Sequence, residues 1–411
     1  MLRQKTKIPE GWRETNLGEV AKIRKGLTYK SSDYGDETDG LVFINLKCIA
    51  KGGGFNKAGI KYYKGKYSEE DLINSGDLII ANTDLTRAGD VIGAPLFVPN
   101  ITDKKMLMSM DVSALDINKN LTNKKFIYYY LLQDIVRQYM RNISSGSTVL
   151  HLKVQEIPKF KILLPPLAIQ NKIAEILGAV DEEIEKVDNI IVATEKMKDE
   201  LMRRIFTCGI KHTKFKKTKM GEVPIEWKTL KLRDVGKFTN GKAHEKDICE
   251  QGKYIVINSK FISSDGSVMK RSDKNFCPVE NGDIAMVMSD IPDGKALAKC
   301  FLVNENDKYT LNQRICSIKT TTMNNRFLYY VLNRNRYFLG FNDGVSQTNM
   351  RKDEVLDCPV QVPPESEQQE IVNVISSIGE KILTYKKIKN NFTQLKKGLM
   401  GDLLGGKKIL N

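Results

Sequence analysis

Pro165-Pro166-Leu167-Ala168-Ile169-Gln170-Asn171-Lys172-Ile173 opens one long periodic stretch, and Pro363-Pro364-Glu365-Ser366-Glu367-Gln368-Gln369-Glu370-Ile371 opens another. Behind the first, apolar residues stand at Ile169, Ile173, Ile176, Val180, Ile184, Val187, Ile191, Met197, Leu201 and Ile205, with Thr194 in step. Behind the second they stand at Ile371, Ile375, Ile378, Ile382, Tyr385, Ile388, Phe392, Leu395 and Leu399. Steps of three and four make a coiled-coil seam, and the remaining positions are mostly charged. A proline pair just ahead of the first turn is a helix-start signal. Ile169 to Ile205 is 37 residues, or about 55 Å of helix at 1.5 Å per residue. A helix that long with one apolar stripe needs a partner, and each stretch can supply the other's.

The doubling extends outward from these stretches. Pro9-x-x-Trp12 returns as Pro224-x-x-Trp227, 215 residues on, and these are the two tryptophans of the chain. Leu17/Leu232, Val20/Val235, Lys22/Lys237 and Gly26/Gly241 keep that offset. Asn74-Ser75-Gly76-Asp77-Leu78 matches Glu280-Asn281-Gly282-Asp283-Ile284 at 206. Phe126-Ile127-Tyr128-Tyr129 matches Phe327-Leu328-Tyr329-Tyr330 at 201, and Gly146, Glu156, Pro165-Pro166 and Gln170 match at 198. Collinear matches that include Trp, Pro and Gly, residues with particular backbone roles, mark a tandem repeat. Most of each copy reads as α+β. Short β-type runs (41–46, 77–81, 94–98, 254–258, 283–288, 299–303) are punctuated by Gly, Asn and Asp, and a helical patch at 125–140 precedes a Ser/Gly loop.

The expected boundaries are a first globular head at 1–163, a long helix at 164–206, a linker at 207–223, a second head at 224–361 and a second long helix at 362–405. The stretch between Ile205 and Pro224 is 18 residues long. Antiparallel helices leave it a short gap, whereas parallel ones stretch it close to its full reach of ~3.3 Å per residue. The expectation is an antiparallel pair and a pseudo-twofold tandem repeat.

Of 411 residues, 65 are Lys or Arg and 50 are Asp or Glu, a formal charge of +15. That excess points to a polyanion, most simply nucleic acid. No apolar run approaches the ~20 residues of a spanning helix. Residues 1–5 have no apolar stretch behind them, and the seven cysteines contain no Cys-x-x-Cys. A reducing cytoplasm is the expected setting. Two similar basic heads suit duplex DNA read as two half-sites, and because the heads differ the half-sites should differ.

This organisation resembles the specificity (S) subunits of type I restriction–modification systems. The resemblance spans essentially the whole chain. It is carried by Met220-Gly221-Glu222-Val223-Pro224-x-x-Trp227 with Leu232-x-Asp234-Val235, by Pro9-Glu10-Gly11-Trp12 with Leu17-Gly18-Glu19-Val20, and by the two Pro-Pro-x-x-x-Gln-x-x-Ile segments. It implies that the heads are target-recognition domains, that the helices are spacers, and that the chain is not an enzyme. It further implies two adenine-N6 methyltransferase (modification) subunits and ATP-dependent restriction subunits as partners. S-adenosylmethionine, ATP and Mg would sit on those partners and no cofactor on this chain. The family usually carries Glu-Gln at the helix start. The second copy has Glu367-Gln368 but the first has Ile169-Gln170, a departure expected to weaken one charge–dipole contact.

Catalytic motifs do not assemble. Gly236–Lys242 has phosphate-loop spacing, but Ala243 stands where Ser or Thr would hold Mg²⁺. Pro292-Asp293 is followed by Glu305-x-x-Lys308, not by the Glu-x-Lys of a nuclease, and both Pro-Pro pairs lack the flanks of a methyltransferase motif. The three histidines form no metal spacing.

The DNA candidates are polar loops at matched positions. Ser147, Thr148 and His151 in the first head, with Ser346, Gln347, Thr348 and Asn349 in the second, are candidate base readers. Asn and Gln can pair bidentately with adenine, and Ser and Thr are adaptable donors. Lys153 and Arg351 are phosphate candidates. Lys25 and Thr28, matched with Asn240 and Lys242, come next. Thr86 and Arg87, and Lys295, follow matched strands. Lys47 opens a stretch to Lys66 that mixes lysines with Gly52-Gly53-Gly54 and Tyr62-Tyr63, a composition suited to backbone contact. Each loop also admits a plain surface-turn or helix-cap reading. The rival functions are a structural adaptor with only non-specific DNA binding, and a DNA enzyme with a cryptic site.

Overall fold

The computed structural model describes residues 8–86, 88–102, 105–218, 221–292 and 294–407. The chain divides into two compact units, Met1–Asn189 with Lys386–Asn411, and Ile190–Tyr385. Each unit contains one head, the start of one long helix and the end of the other. No described helix is long and apolar enough to cross a membrane.

The first head is built on an antiparallel four-stranded sheet in the order Ala21–Lys25, Val112–Ile117, Leu78–Ala81, Pro95–Phe97. The central strand Leu78–Ala81 is buried on both faces, which is why it reads as an unbroken apolar run rather than an alternation. A second sheet holds Leu41–Ile44 parallel to Met106–Met108. The second head repeats both features. Its four strands are Lys237–Asn240, Ile315–Lys319, Ile284–Val287 and Cys300–Leu302. Its parallel pair is Tyr254–Ile257 with Tyr309–Leu311. Each head also closes on itself. Arg13–Asn16 pairs with Lys161–Leu164, and Lys228–Lys231 pairs with Pro359–Val362, so the chain leaves each head beside the point where it came in.

The heads differ most after the parallel strand. The first has the lysine-rich stretch with a strand at Lys61–Tyr63, whereas the second has a short helix, Ser259–Ser263, and a strand at Lys270–Ser272. The helical patch expected over 125–140 is two helices, Lys124–Leu132 and Asp134–Asn142. Gln133, at φ −62° and ψ 139°, is extended and breaks them.

The long helices are Leu167–Cys208 and Glu365–Leu403. In the first unit one apolar cluster joins Ile169, Ile173, Ile176 and Leu177 at the start of the first helix to Leu399, Met400, Leu403 and Leu404 at the end of the second. Lys389 Nζ lies 2.6 Å from Asp188 and Lys396 Nζ lies 2.6 Å from Asp181. Seven residues forward on one helix is thus seven back on the other, the signature of antiparallel pairing. In the second unit Leu201, Met202, Ile205 and Phe206 share a cluster with Ile371, Val372 and Ile375, the complementary ends.

The matched Pro-x-x-Trp segments receive the helix ends. Trp227 is fully buried in the cluster that holds Ile205, Phe206 and Ile210. Trp12 packs against the cluster that holds Met400, Leu403 and Leu404. The stretch expected as a linker at 207–223 takes in the last residues of the first long helix, which ends at Cys208, and a pairing of Phe215–Thr218 with Gly221–Pro224. The Lys219 and Met220 positions of that stretch lie outside the described residues.

The matched glutamines fasten each long helix to its head. Gln170 and Gln368 are buried. Gln170 Oε1 accepts from the Asn123 amide at 2.9 Å and from Thr122 Oγ1 at 2.7 Å, and its Nε2 donates to Pro165 O at 2.8 Å. Gln368 repeats this with the Asn324 amide and Pro363 O, both at 2.9 Å. Asn123 and Asn324 in turn cap the head helices that follow them. Gln368→Leu leaves a buried donor and a buried acceptor without partners, an expected loss of about 2–4 kcal/mol. Chemical denaturation of the full chain reads that loss, and a change below about 0.5 kcal/mol, the level of an ordinary surface substitution, would refute the role.

Candidate nucleic-acid interface

Each head carries a small strand ladder beside its four-stranded sheet, three-stranded in the first head, where Ser144–Ser145 adds to it, and two-stranded in the second. In the first, Thr83–Asp84 pairs with Leu150–Leu152, setting Thr83 opposite His151 and Asp84 opposite Leu150. In the second, Ser289–Asp290 pairs with Thr348–Asn349, setting Ser289 opposite Asn349. Two candidate segments separated by about 60 residues of chain are thereby neighbours in each head. The matched glycines explain two turns. Gly146 and Gly344, at φ +120° and +72°, turn the chain into the ladder in conformations that side chains resist. A Cβ on Gly26 would stand 2.1 Å from Ser109 O, and one on Gly241 2.0 Å from Asn312 O, so backbone passes backbone at both.

In the first head Tyr29, Tyr34, Lys47, Lys61, Thr83, Leu85, Asp111, Val149 and His151 line one cleft of about 410 Å³. Lys47 and His151 are exposed candidates brought together there. Ser147 and Thr148, also exposed, precede Val149 on the same hairpin. Burial, Tyr34 and Asp111 push the Tyr29 hydroxyl well above its ordinary pKa, so it stays a neutral donor. Lys25 and Thr28 are exposed beside this cleft's Tyr29 but do not line it. Lys153 is exposed at the start of the turn Val154–Lys159.

In the second head Ser289 links two candidates. Its hydroxyl donates to Asn349 Oδ1 at 2.6 Å and accepts from Gln347 Nε2 at 3.0 Å. Gln347 and Asn349 are exposed and thus presented as a pair. Ser346 is exposed, but its hydroxyl donates to Asp343, which also accepts the Val345 amide, within the same surface turn. Those bonds hold the Asp343 pKa down at about 2. Thr348 is 8% exposed and its hydroxyl reaches Asn342, so the base-reading role expected of it is not open in this arrangement. Asn240, Lys242, Lys295 and Arg351 are exposed. Arg351 precedes the helix Lys352–Leu356, and its amide donates to Glu354 at 2.6 Å.

Two further expectations change. Tyr63, expected to interleave with lysines on the surface, is buried with Leu27, Phe43 and Leu107, so Lys61, Lys64 and Lys66 face solvent without it. Thr86 is tied into its own loop. Its amide donates to Asp84 at 2.6 Å and its hydroxyl accepts from the Asp90 amide at 3.0 Å. Arg87 and the nuclease candidate Asp293 lie outside the described residues. Gly236, in the phosphate-loop spacing, leads straight into the strand Lys237–Asn240 rather than into a loop before a helix. His244 is 1% exposed and held between Lys242 O and Thr310, a core position. Among the described residues no metal-ligating cluster forms.

Sequence reading missed what holds the post-strand loops. Asp84 is fully buried and accepts the amides of Thr86, Val91 and Ile92 at 2.6, 2.6 and 2.8 Å. Asp290 accepts those of Ile291, Ala296 and Leu297 at 2.9, 2.6 and 3.0 Å. The offset of 206 joins these two aspartates as it joins the strands before them, which is the signal that could have found them. An arginine clamps each loop from behind. Arg137 donates to the carbonyls of Ile92 and Asp90, and Arg334 to those of Leu297 and Lys295. Arg137 lies within a helix and Arg334 precedes one, so the two heads reach the same clamp from different positions. Burial lowers the Arg137 pKa to about 10, which leaves it charged at neutral pH.

The departure at Ile169 also gains a meaning. In the second copy Glu367 accepts from Trp227 Nε1 and the Ile210 amide and bonds His212 Nε2, each at 2.9 Å. It is a buried junction rather than the helix-dipole contact expected. In the first copy Ile169 replaces that polar junction with apolar packing in the cluster that Trp12 joins.

The family model describing the type I restriction modification DNA specificity domain matches residues 9–194 and 224–394. The MjaVIII type I restriction enzyme specificity subunit of Methanocaldococcus jannaschii is 24% identical over 417 residues, covering 98% of this chain and 94% of that one. The EcoBI specificity subunit of Escherichia coli is 28% identical over 187 residues, 44% of this chain and 36% of that one. Among solved structures, the type I restriction-modification S subunit from M. genitalium shares the fold at a TM-score of 0.55 and 14% identity over 98% of both chains. A chain from structural work on complex assembly and conformational transition of the type I R-M system does so at 0.59 and 15%, over 97% of this chain and 99% of that one. With both of its halves matched, the chain belongs to the type I restriction–modification DNA specificity family, the non-catalytic specificity subunits of those systems.

Proposed function

We propose that this chain reads a bipartite, asymmetric site in duplex DNA, one half-site per head. The observation that carries this reading is the duplicated ladder. Both heads build the same strand pairing beside the main sheet, and different exposed residues stand on or next to it, His151 in one and Gln347 with Asn349 in the other. A common frame with different hydrogen-bonding groups is what two unlike half-sites require. In this reading the long helices serve as spacer and as platform for two adenine-N6 methyltransferase subunits. S-adenosylmethionine is held by those subunits, ATP and Mg by restriction subunits, and the assembly works in the cytoplasm.

Methylome sequencing of a host carrying this chain with its modification partner tests the reading. The expected outcome is one methylated motif with two dissimilar halves at fixed spacing. Exchanging residues 224–361 for another second head should change one half and leave the other. An unchanged motif after that exchange would refute the assignment, and binding without sequence preference would restore the adaptor reading.

A further inference from the structure

Leu85 is 63% exposed and Ile291 is 67% exposed. A single exposed aliphatic side chain is ordinary on a protein surface. These two occupy the same place in both heads, 206 residues apart, each directly after the aspartate that organises its loop. Their surroundings have diverged. Thr83 has become Ser289, His151 has become Asn349, and the lysine-rich stretch of the first head is replaced by a helix in the second. An aliphatic side chain held outward beside each reading ladder while its neighbours change points to an apolar feature present in both targets.

Charge narrows the choice of partner. Leu85 lines its cleft together with Lys47 and Lys61, so the apolar group sits among cations suited to phosphate. On the major-groove edges of DNA the apolar group is the C5-methyl of thymine. Resting on the DNA-reading function above, we propose that Leu85 and Ile291 are specificity-determining residues, each packing against one thymine methyl in its own half-site. An adenine-N6 target in each half-site brings a thymine opposite it, so the required group is present in both.

The test uses the assembled complex with modification subunits and a duplex carrying its methylome motif. Uracil replaces thymine one position at a time, which removes only the methyl. The wild-type complex should lose about fourfold in affinity at one thymine of each half-site, equivalent to ~0.8 kcal/mol for one methyl-sized group. Leu85→Ser should abolish that sensitivity in one half-site and Ile291→Ser in the other, each leaving the opposite half-site unchanged. A flat response of the wild-type complex at every thymine overturns the proposal, and that measurement needs no variant to fold. So does undiminished sensitivity in the two serine variants. A wild-type complex that does not prefer its motif over a scrambled duplex removes the DNA-reading function itself. Preference retained with a flat uracil response removes this proposal alone.

Discussion

Asp84→Asn is expected to destabilise the first unit by about 3–5 kcal/mol and to weaken recognition of one half-site on the order of tenfold, the other being untouched. The Asp84 carboxylate spends both oxygens on three amides across its loop, those of Thr86, Val91 and Ile92. Asparagine has one acceptor oxygen, and its amide group would face N–H donors on the other side. Leu85 and Thr86 lie within the loop so held, and Thr83 beside it faces His151, so loss of the frame reaches the reading surface directly. Burial by itself would raise the Asp84 pKa, but the hydrogen bonds outweigh it and the pKa is lowered. A lowered folded-state pKa fixes the sign of the pH dependence. The contribution is full above the unfolded value of ~3.9 and is lost as pH falls through the folded one. The stability gap between wild type and Asp84→Asn should therefore be constant near neutrality and close only in acid below about pH 4. Denaturation curves at neutral and acid pH measure it. A gap of under about 1 kcal/mol at neutral pH, or a gap that grew in acid, would sink the account. Asp290→Asn should transfer the recognition defect to the opposite half-site.

Glu367→Ala is the second large effect, expected to cost the second unit about 3–5 kcal/mol. Its carboxylate gathers the Trp227 indole, the Ile210 amide and the His212 ring, all bonds made within that unit. Trp227 is wholly buried, and its N–H has no water to turn to once the carboxylate is gone. Glu367→Gln keeps one acceptor and should fall between wild type and alanine. Urea or guanidinium titration ranks the three, and an alanine variant as stable as wild type would show that packing alone holds the helix end against Trp227. The first copy offers the control. There Ile169 stands at the matched position without that polar junction, so Ile169→Val should cost no more than ~0.5–1.5 kcal/mol.

The two substitutions show how legibility varied along the chain. The long helices could be read because apolar positions every three or four residues are a local record of burial. The Pro-Pro and Gln matches fixed where they start to within a few residues. The β-runs were read to within one or two residues for the same reason. The helix break at Gln133 was not legible, since its neighbours favour helix and no Gly or Pro stands at the break. Glu367 was read as a dipole contact because its three partners lie some 140 to 157 residues away in sequence. Thr348 and Tyr63 have the composition of surface readers, and it is neighbouring elements that bury them.

By itself the sequence determined that the chain is two copies of a head and a helix, that the helices pair, and that matched polar loops are the places to look for DNA contact. Those features are written in periodicity and in repeated Trp, Pro, Gly and Gln. The tertiary structure decided which loops meet. It set residues 83–84 beside 150–151 and residues 289–290 beside 348–349, tied the loops that follow to Asp84 and Asp290, and left Leu85 and Ile291 in solvent. The physical reason is that strand pairing and carboxylate–amide bonds act between residues far apart in the chain, where no local pattern records them.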